Sequence, residues 1–451
     1  MSHLLKHAQS VRRSFSRLRA IAASLALLLV GQLLLPPSAH GYAVLAHQAL
    51  IDTVWETHLK PLLKAKYPDA TEDELSGAQA YAYGGSIIQD FGYYPHGSHF
   101  FSDLTHYVRS GDFVMALLRD SHNVYDYAFA LGALSHYATD SEGHRLATNR
   151  AVPLLYPPLQ RKFGDVVTYE DDELAHVKTE FGFDVLQVAQ QHYAPESYHD
   201  FIGFEVSQPL LDQAFQETYG IQLKSVMHDE EEALNSYRHD VSNLIPKATR
   251  IGWSLKEKEI QADEPGATRR KFLYNLSRAQ YEKEWGKNYE RPSEGERFLA
   301  FLYKLLPKFG PLRVLELKTP TPETERMFEE SFNAAVAHYR RLLKEEREGA
   351  LQLANVNFDV GTETGAGKYR LNDDAHAQLL HRLAEKKFAC LSPDLRQEML
   401  VFFADSDAPY AFKKDHKAWD RMQEELQVLK STGGETPQSP QATARVKPPA
   451  D

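Results

Sequence analysis

Seven side chains of metal-ligand type crowd the first half of this chain, in the order Asp90, His106, His136, Asp140, His144, His176 and Glu180. Three fall in one string, His136-Tyr-Ala-Thr-Asp140-Ser-Glu-Gly-His144, and two more in His176-Val-Lys-Thr-Glu180. Each string advances in four-residue steps, which stack side chains on one face of a helix. Imidazole nitrogens and carboxylate oxygens converging from several helices are the donor set of a cluster of zinc ions. The chemistry they point to is metal-assisted hydrolysis.

The elements that must carry these residues read as helices almost throughout. Thr71-Glu-Asp-Glu74 is a capping box that opens one helix after the Tyr67-Pro68-Asp69 turn. Asn123 to about His144 predicts another, with Val124, Tyr127, Leu131 and Leu134 as its apolar stripe. On its ligand face Ala128 and Gly132 precede His136 and Asp140, leaving room for ions or for a close neighbouring helix. Gly92, Pro95 and Gly97 punctuate the run between Asp90 and His106, which reads as a loop. Beyond about residue 225 the chain turns to charge-rich amphipathic helices over 229–244, 294–306, 323–355 and 374–387, with a glycine-rich loop over 359–368. No ligand spacing stands out there, so this half reads as a scaffold or partner surface. The segment from Ser431 to Asp451 is rich in Pro, Gly, Ser, Thr and Gln and is expected to be disordered.

The amino-terminal segment bears on the metal cluster too. Lys6, Arg12, Arg13, Arg17 and Arg19 precede an apolar run from about Ala20 to Leu35, and small residues follow at Ser38, Ala39 and Gly41. That order is the pattern of a signal peptide over residues 1–41, so the expected location is periplasmic or secreted. Arg12-Arg13-Ser-Phe15 also fits a twin-arginine signal. Cleavage after Gly41 would make Tyr42 the first residue, whose amino and carbonyl groups can chelate a metal together with His47. Loss of the leader takes the net charge from −11 to about −16, an acidic body that argues against a passive polyanion-binding surface. The single cysteine, Cys390, rules out an internal disulfide framework and is expected in the core.

Taken together, Tyr42, His47, Asp90, His106, His136, Asp140, His144, His176 and Glu180 resemble the metal signature of the zinc-dependent phospholipase C and S1/P1 nuclease superfamily. Phe101-Ser-Asp-Leu-Thr-His106-Tyr and His176-x3-Glu180-Phe-Gly-Phe-Asp184 are similar to its bacterial phospholipase-C-like branch. The resemblance implies an all-α multi-helix bundle over about 42–225, with an additional helical C-terminal region over 226–430. It also implies three zinc ions. The first would be held by Asp90, His106, His136 and Asp140, and the second by His144, His176 and Glu180. The third would take the Tyr42 backbone groups, His47 and a bridging Asp140. Asp90 would be the catalytic carboxylate, orienting the attacking water or accepting its proton.

The implied activity is cleavage of a phospholipid into diacylglycerol and a phosphorylated headgroup by a zinc-bound hydroxide, with contact to a membrane surface. A single-strand nuclease or 3′-nucleotidase on the same site is the alternative, disfavoured by the acidic charge, and a non-catalytic zinc-stabilised interaction protein is a third. The chain departs from the family in having Tyr42 where tryptophan is usual and a shortened Asp140–His144 spacing. That spacing resembles the N-terminal part of glycosylphosphatidylinositol-specific phospholipase D. An insertion containing Pro153, Pro157 and Pro158 separates His144 from His176 and is expected to form a lid or rim. Around the ligands, His96, His99, His122, Phe91, Tyr93 and Tyr94 read as exposed histidines and packed aromatics, or as a headgroup pocket. Glu142 and Asp103 are candidate partners for ligand histidines, Asp103 alternatively a helix cap.

Overall fold

The computed structural model describes residues 44–189, 204–227, 229–241 and 318–432, and among them every regular element is a helix. The leader, Tyr42, the helix expected over 294–306 and the tail after Thr432 lie outside the described residues.

Helix α1 (Val44–Val54) passes through a π-helical turn, Trp55–Leu59, into α2 (Lys60–Lys66). The Thr71–Glu74 capping box forms as the sequence predicts and opens α3 (Glu72–Gly85). The stretch read as a loop between Asp90 and His106 is more ordered than its glycines implied. It holds a 3-10 turn, Ile88–Tyr93, a short bend, and then α4 (His99–Tyr107). Helix α5 (Ser110–Arg119) leads to α6 (Val124–Gly143), whose Asn123 side chain accepts the backbone N–H groups of Tyr125 and Asp126. A second π-helical turn, His144–Thr148, joins α6 to α7 (Asn149–Leu155). The proline-containing insertion becomes α7 and α8 (Pro157–Phe163), and α9 (Glu173–Ala189) follows. Helices α10 (Gln208–Tyr219), α11 (Glu230–His239), α12 (Pro322–Arg347), α13 (Arg370–Glu385), α14 (Pro393–Phe402) and α15 (His416–Ser431) complete the set.

Helix α6 is the axis of the molecule. It is buried along nearly its whole length, with α3 packed on one side and α12 on another. The contact with α3 explains the small residues of α6. A Cβ on Gly132 would stand 2.2 Å from the Ala82 carbonyl oxygen, and one on Gly85 would stand 2.0 Å from that of Phe129. The glycines thus let two backbones touch, so the space near Gly132 is taken by α3. Of the two readings open in the sequence, the neighbouring helix is the one realised. On the other side Tyr339 of α12 donates its hydroxyl to the Leu131 carbonyl at 2.8 Å, and Tyr127 donates to Glu346 at 2.9 Å.

The C-terminal half also corrects the sequence reading in two respects. Helix α12 stops at Arg347, with Gly349 in the left-handed conformation (φ 67°), and residues 350–355 run on without regular structure. Cys390 is exposed rather than in the core. The packing against α3 carries a stability expectation. Gly132→Ala forces α3 and α6 apart, and overpacking of this kind costs about 1–3 kcal/mol. Thermal melts followed by circular dichroism should show a clear fall in Tm, while Gly365→Ala, where a Cβ meets nothing within 4 Å, should leave it unchanged.

Candidate metal centre

Four imidazoles and one further carboxylate gather around Asp140, a side chain with no solvent exposure. Its Oδ2 lies 3.1 Å from His136 Nε2, 3.5 Å from His106 Nε2 and 3.7 Å from His144 Nε2. On its other side Oδ1 lies 3.2 Å from His47 Nε2. Asp90 Oδ1 stands 3.2 Å from His106 Nε2. The 3-10 turn carries Asp90, α4 carries His106, α6 carries His136 and Asp140, and α1 brings His47 to stack on the His136 ring at 4.5 Å. His144 begins the π-helical turn that ends α6, so its ring continues the ligand face one step beyond Asp140. Wide turns of this kind inside helices gather at functional sites because they re-aim side chains.

The tautomers follow from the outer nitrogens. His106 Nδ1 is 2.8 Å from the Ser102 carbonyl and His136 Nδ1 is 2.9 Å from that of Ser86. A carbonyl only accepts, so each Nδ1 carries hydrogen and donates. Both Nε2 atoms then face inward, 3.4 Å apart. Imidazoles held this way by a backbone acceptor turn Nε2 inward, where a metal would bind. Asp90, His106, His136 and Asp140 each offer a ligand atom, all within 4.8 Å of one another.

A second group lies beside the first. His144, His176 and Asp359 offer three atoms within the same 4.8 Å limit. His176 Nδ1 is 2.7 Å from Glu180 Oε1, yet both oxygens of Glu180 lack a hydrogen-bond partner although buried. His144 Nε2 is likewise buried without a hydrogen bond. Unsatisfied buried polar atoms cost free energy and are rare in native proteins. Their concentration here fits a site built for cations.

Electrostatics says the same. Asp90, Asp140, Glu180 and Asp359 place four carboxyl groups in a buried space with the histidines. Burial pushes Glu180 well above the usual carboxylate range, and the charges of Asp140 and Asp90 add to it. Burial alone would lower His106, but hydrogen bonds to Asp140 and Asp90 outweigh it and lift the imidazole to about 10. Burial and the neighbouring His144 instead hold His176 down at about 3, against the pull of Asp359. Without a metal, a proton on His106 therefore supplies part of the positive charge that the carboxylates demand.

Residues 45–229 match the family model described as zinc dependent phospholipase C. This part of the chain is a zinc-dependent phospholipase C domain. No match was found among curated proteins or among solved structures. The phospholipase C domain contains every described candidate ligand predicted from sequence, from His47 to Glu180, and the fold brings all eight together. Asp359 lies outside the domain. It was missed because the C-terminal half shows no ligand spacing, and one aspartate in a glycine-rich loop carries no periodic signal.

The other tempting residues take ordinary roles. Phe91 and Tyr94 pack edge-on against Tyr237, and Tyr93 is buried against His99 and His106. His96, His99 and His122 are exposed. Glu142 pairs with His338 at 3.2 Å and with Arg145, not with a ligand histidine. Asp103 lies within α4, whose N-cap position is Ser98.

The proton on His106 gives a signed expectation. Its pKa rises from about 6.5 unfolded to about 10 folded, so the stabilisation is fully present below pH 6.5 and disappears as pH climbs to about 10. The metal-free protein should therefore lose stability as pH rises through that window. Zinc uptake must expel this proton. Calorimetric titrations at pH 7.5 in buffers of different ionisation enthalpy should therefore give heats that depend on the buffer; identical heats would show His106 already deprotonated.

Proposed function

We propose that the protein is an exported zinc-dependent phosphodiester hydrolase, and specifically a phospholipase C that releases a phosphorylated headgroup and leaves diacylglycerol. The observation that carries this reading is the Asp140-centred cluster of buried imidazoles inside a zinc-dependent phospholipase C domain. Bound zinc supplies an activated water near neutral pH and neutralises charge at the phosphate. Asp90, His106, His136 and Asp140 would hold one ion, and His144, His176 and Glu180 a second. His47, facing Asp140 Oδ1, would join the Tyr42 amino and carbonyl groups at a third.

What the chain's own residues contribute follows from their geometry. Asp90 Oδ1 stands 3.2 Å from His106 Nε2, where it would orient the attacking water and take its proton. The carbonyls of Ser86 and Ser102 keep the His136 and His106 rings in fixed tautomers, so little reorganisation accompanies reaction. Asp184 on α9 accepts the Leu45 backbone N–H at 3.0 Å and ties down the start of α1. That anchor helps set His47 against Asp140. No described helix is long and apolar enough to cross a membrane.

Metal analysis of the processed protein, paired with hydrolysis assays on phospholipid vesicles and single-stranded DNA, tests the reading. Bound zinc with phospholipid turnover is expected. His136→Ala and Asp140→Ala should each cut that turnover at least about 100-fold. Negligible metal, or activity surviving both changes, would overturn the enzyme; faster cleavage of DNA would reassign the substrate to nucleic acid. A protein carrying one additional residue before Tyr42 should bind about one zinc fewer. Full occupancy in that protein removes the amino-terminal ligand.

A further inference from the structure

We infer that Asp359, in the loop between α12 and α13 and outside the phospholipase C domain, is a positioning residue that fixes the tautomers of both histidines of the second metal position. This rests on reading that position as a metal site held by His144, His176 and Glu180.

The carboxylate acts on His144. Asp359 Oδ1 lies 2.7 Å from His144 Nδ1. Its Oδ2 accepts the Tyr169 backbone N–H at 2.9 Å and the Tyr369 hydroxyl. Three donors thus converge on one side chain that can only accept, and its second oxygen is already taken. His144 Nδ1 carries the hydrogen, and its buried Nε2 is left with a lone pair turned toward Asp140.

The backbone of the same residue acts on His176 through an amide. Asn149 Nδ2 donates to the Asp359 carbonyl at 2.6 Å, which settles which way round the amide lies. Asn149 Oδ1 must then accept, and it stands 2.8 Å from His176 Nε2. His176 therefore carries its hydrogen on Nε2, and the Nδ1 lone pair faces Glu180 Oε1 at 2.7 Å. Two lone pairs so close repel unless a cation or a proton lies with them. Asp359 Oδ1 is 3.6 Å from His176 Nε2, beyond a hydrogen bond.

The loop is built to hold this residue still. Asn357 Oδ1 accepts the Asp359 N–H at 2.9 Å, and the Asn357 N–H donates to the Thr362 carbonyl at 2.9 Å. Gly361 sits at φ 71°, where a Cβ would fall 2.4 Å from the Ser141 carbonyl. The loop tip thus lies against the backbone between Asp140 and His144. The Phe358 N–H donates to the His106 carbonyl at 3.1 Å.

Zinc titration of the full-length protein, with cobalt substitution read by visible absorption, tests the assignment. Asp359→Asn presents an N–H to a donor, and loss of such an outer partner weakens metal binding about 10–100-fold. The cobalt bands should keep their positions at saturation, because His144, His176 and Glu180 still ligate. Tyr369→Phe removes one of the donors that orient the carboxylate; it should weaken zinc in the same direction by a smaller factor, and it covers the case in which Asp359→Asn fails to fold. Unchanged affinity in both variants overturns the inference, and shifted cobalt bands in Asp359→Asn would make Asp359 a ligand instead. A wild-type protein that takes up no metal overturns the underlying metal site.

Discussion

A carboxylate with no access to solvent, faced on both oxygens by imidazole nitrogens, sets the terms for the whole molecule. Moving an ionised carboxylate out of water costs several kcal/mol even after relaxation, unless positive charge and hydrogen bonds meet it. Burial works to raise Asp140, yet His136, His106 and His47 together hold it well below the usual carboxylate range. Each of those rings comes from a different element, so α1, α4 and α6 are fixed relative to one another at the point where Asp140 sits. The glycine contact between α3 and α6 serves the same end, because it lets the ligand helix lie deep in the bundle.

The arrangement separates two jobs that a single histidine can do. Inner nitrogens face the charge cluster, and outer nitrogens answer to the fold: Ser102, Ser86, Asp359 and Asn149 each hold one. The outer partners of His106 and His136 are backbone carbonyls, which no substitution of their own side chains removes. Those of His144 and His176 are side chains. The second metal position is thus the more open to adjustment by mutation, and the first is tied to the course of the main chain itself.

Much of this was legible in the sequence because helices repeat. Four-residue steps put His136 with Asp140, and His176 with Glu180, on common faces, and a capping box marked where α3 begins. Gly132 of α6 was visible too, but two readings stayed open because a small residue does not say what fills the space beside it; the answer was the α3 backbone. Asp359 was out of reach for a different reason. Its position depends on a non-repeating turn and on contacts more than two hundred residues away in the chain, and nothing local encodes such a distance. Cys390 failed as a core residue because a lone cysteine has no pattern to place it, and the short run between α13 and α14 leaves it at the surface.

The reach of that turn has a consequence for when the centre comes into being. The side chains that define it run from His47 to Asp359, so the pocket joins parts of the chain that lie far apart in sequence. Contacts of such long separation form late, since the intervening chain must first give up its freedom. A nascent chain that has made only the first half would hold the imidazoles without the turn that aims two of them. Completion of the His144–His176 group thereby waits for the turn that carries Asp359, and a fragment that ends before it holds that group unaimed.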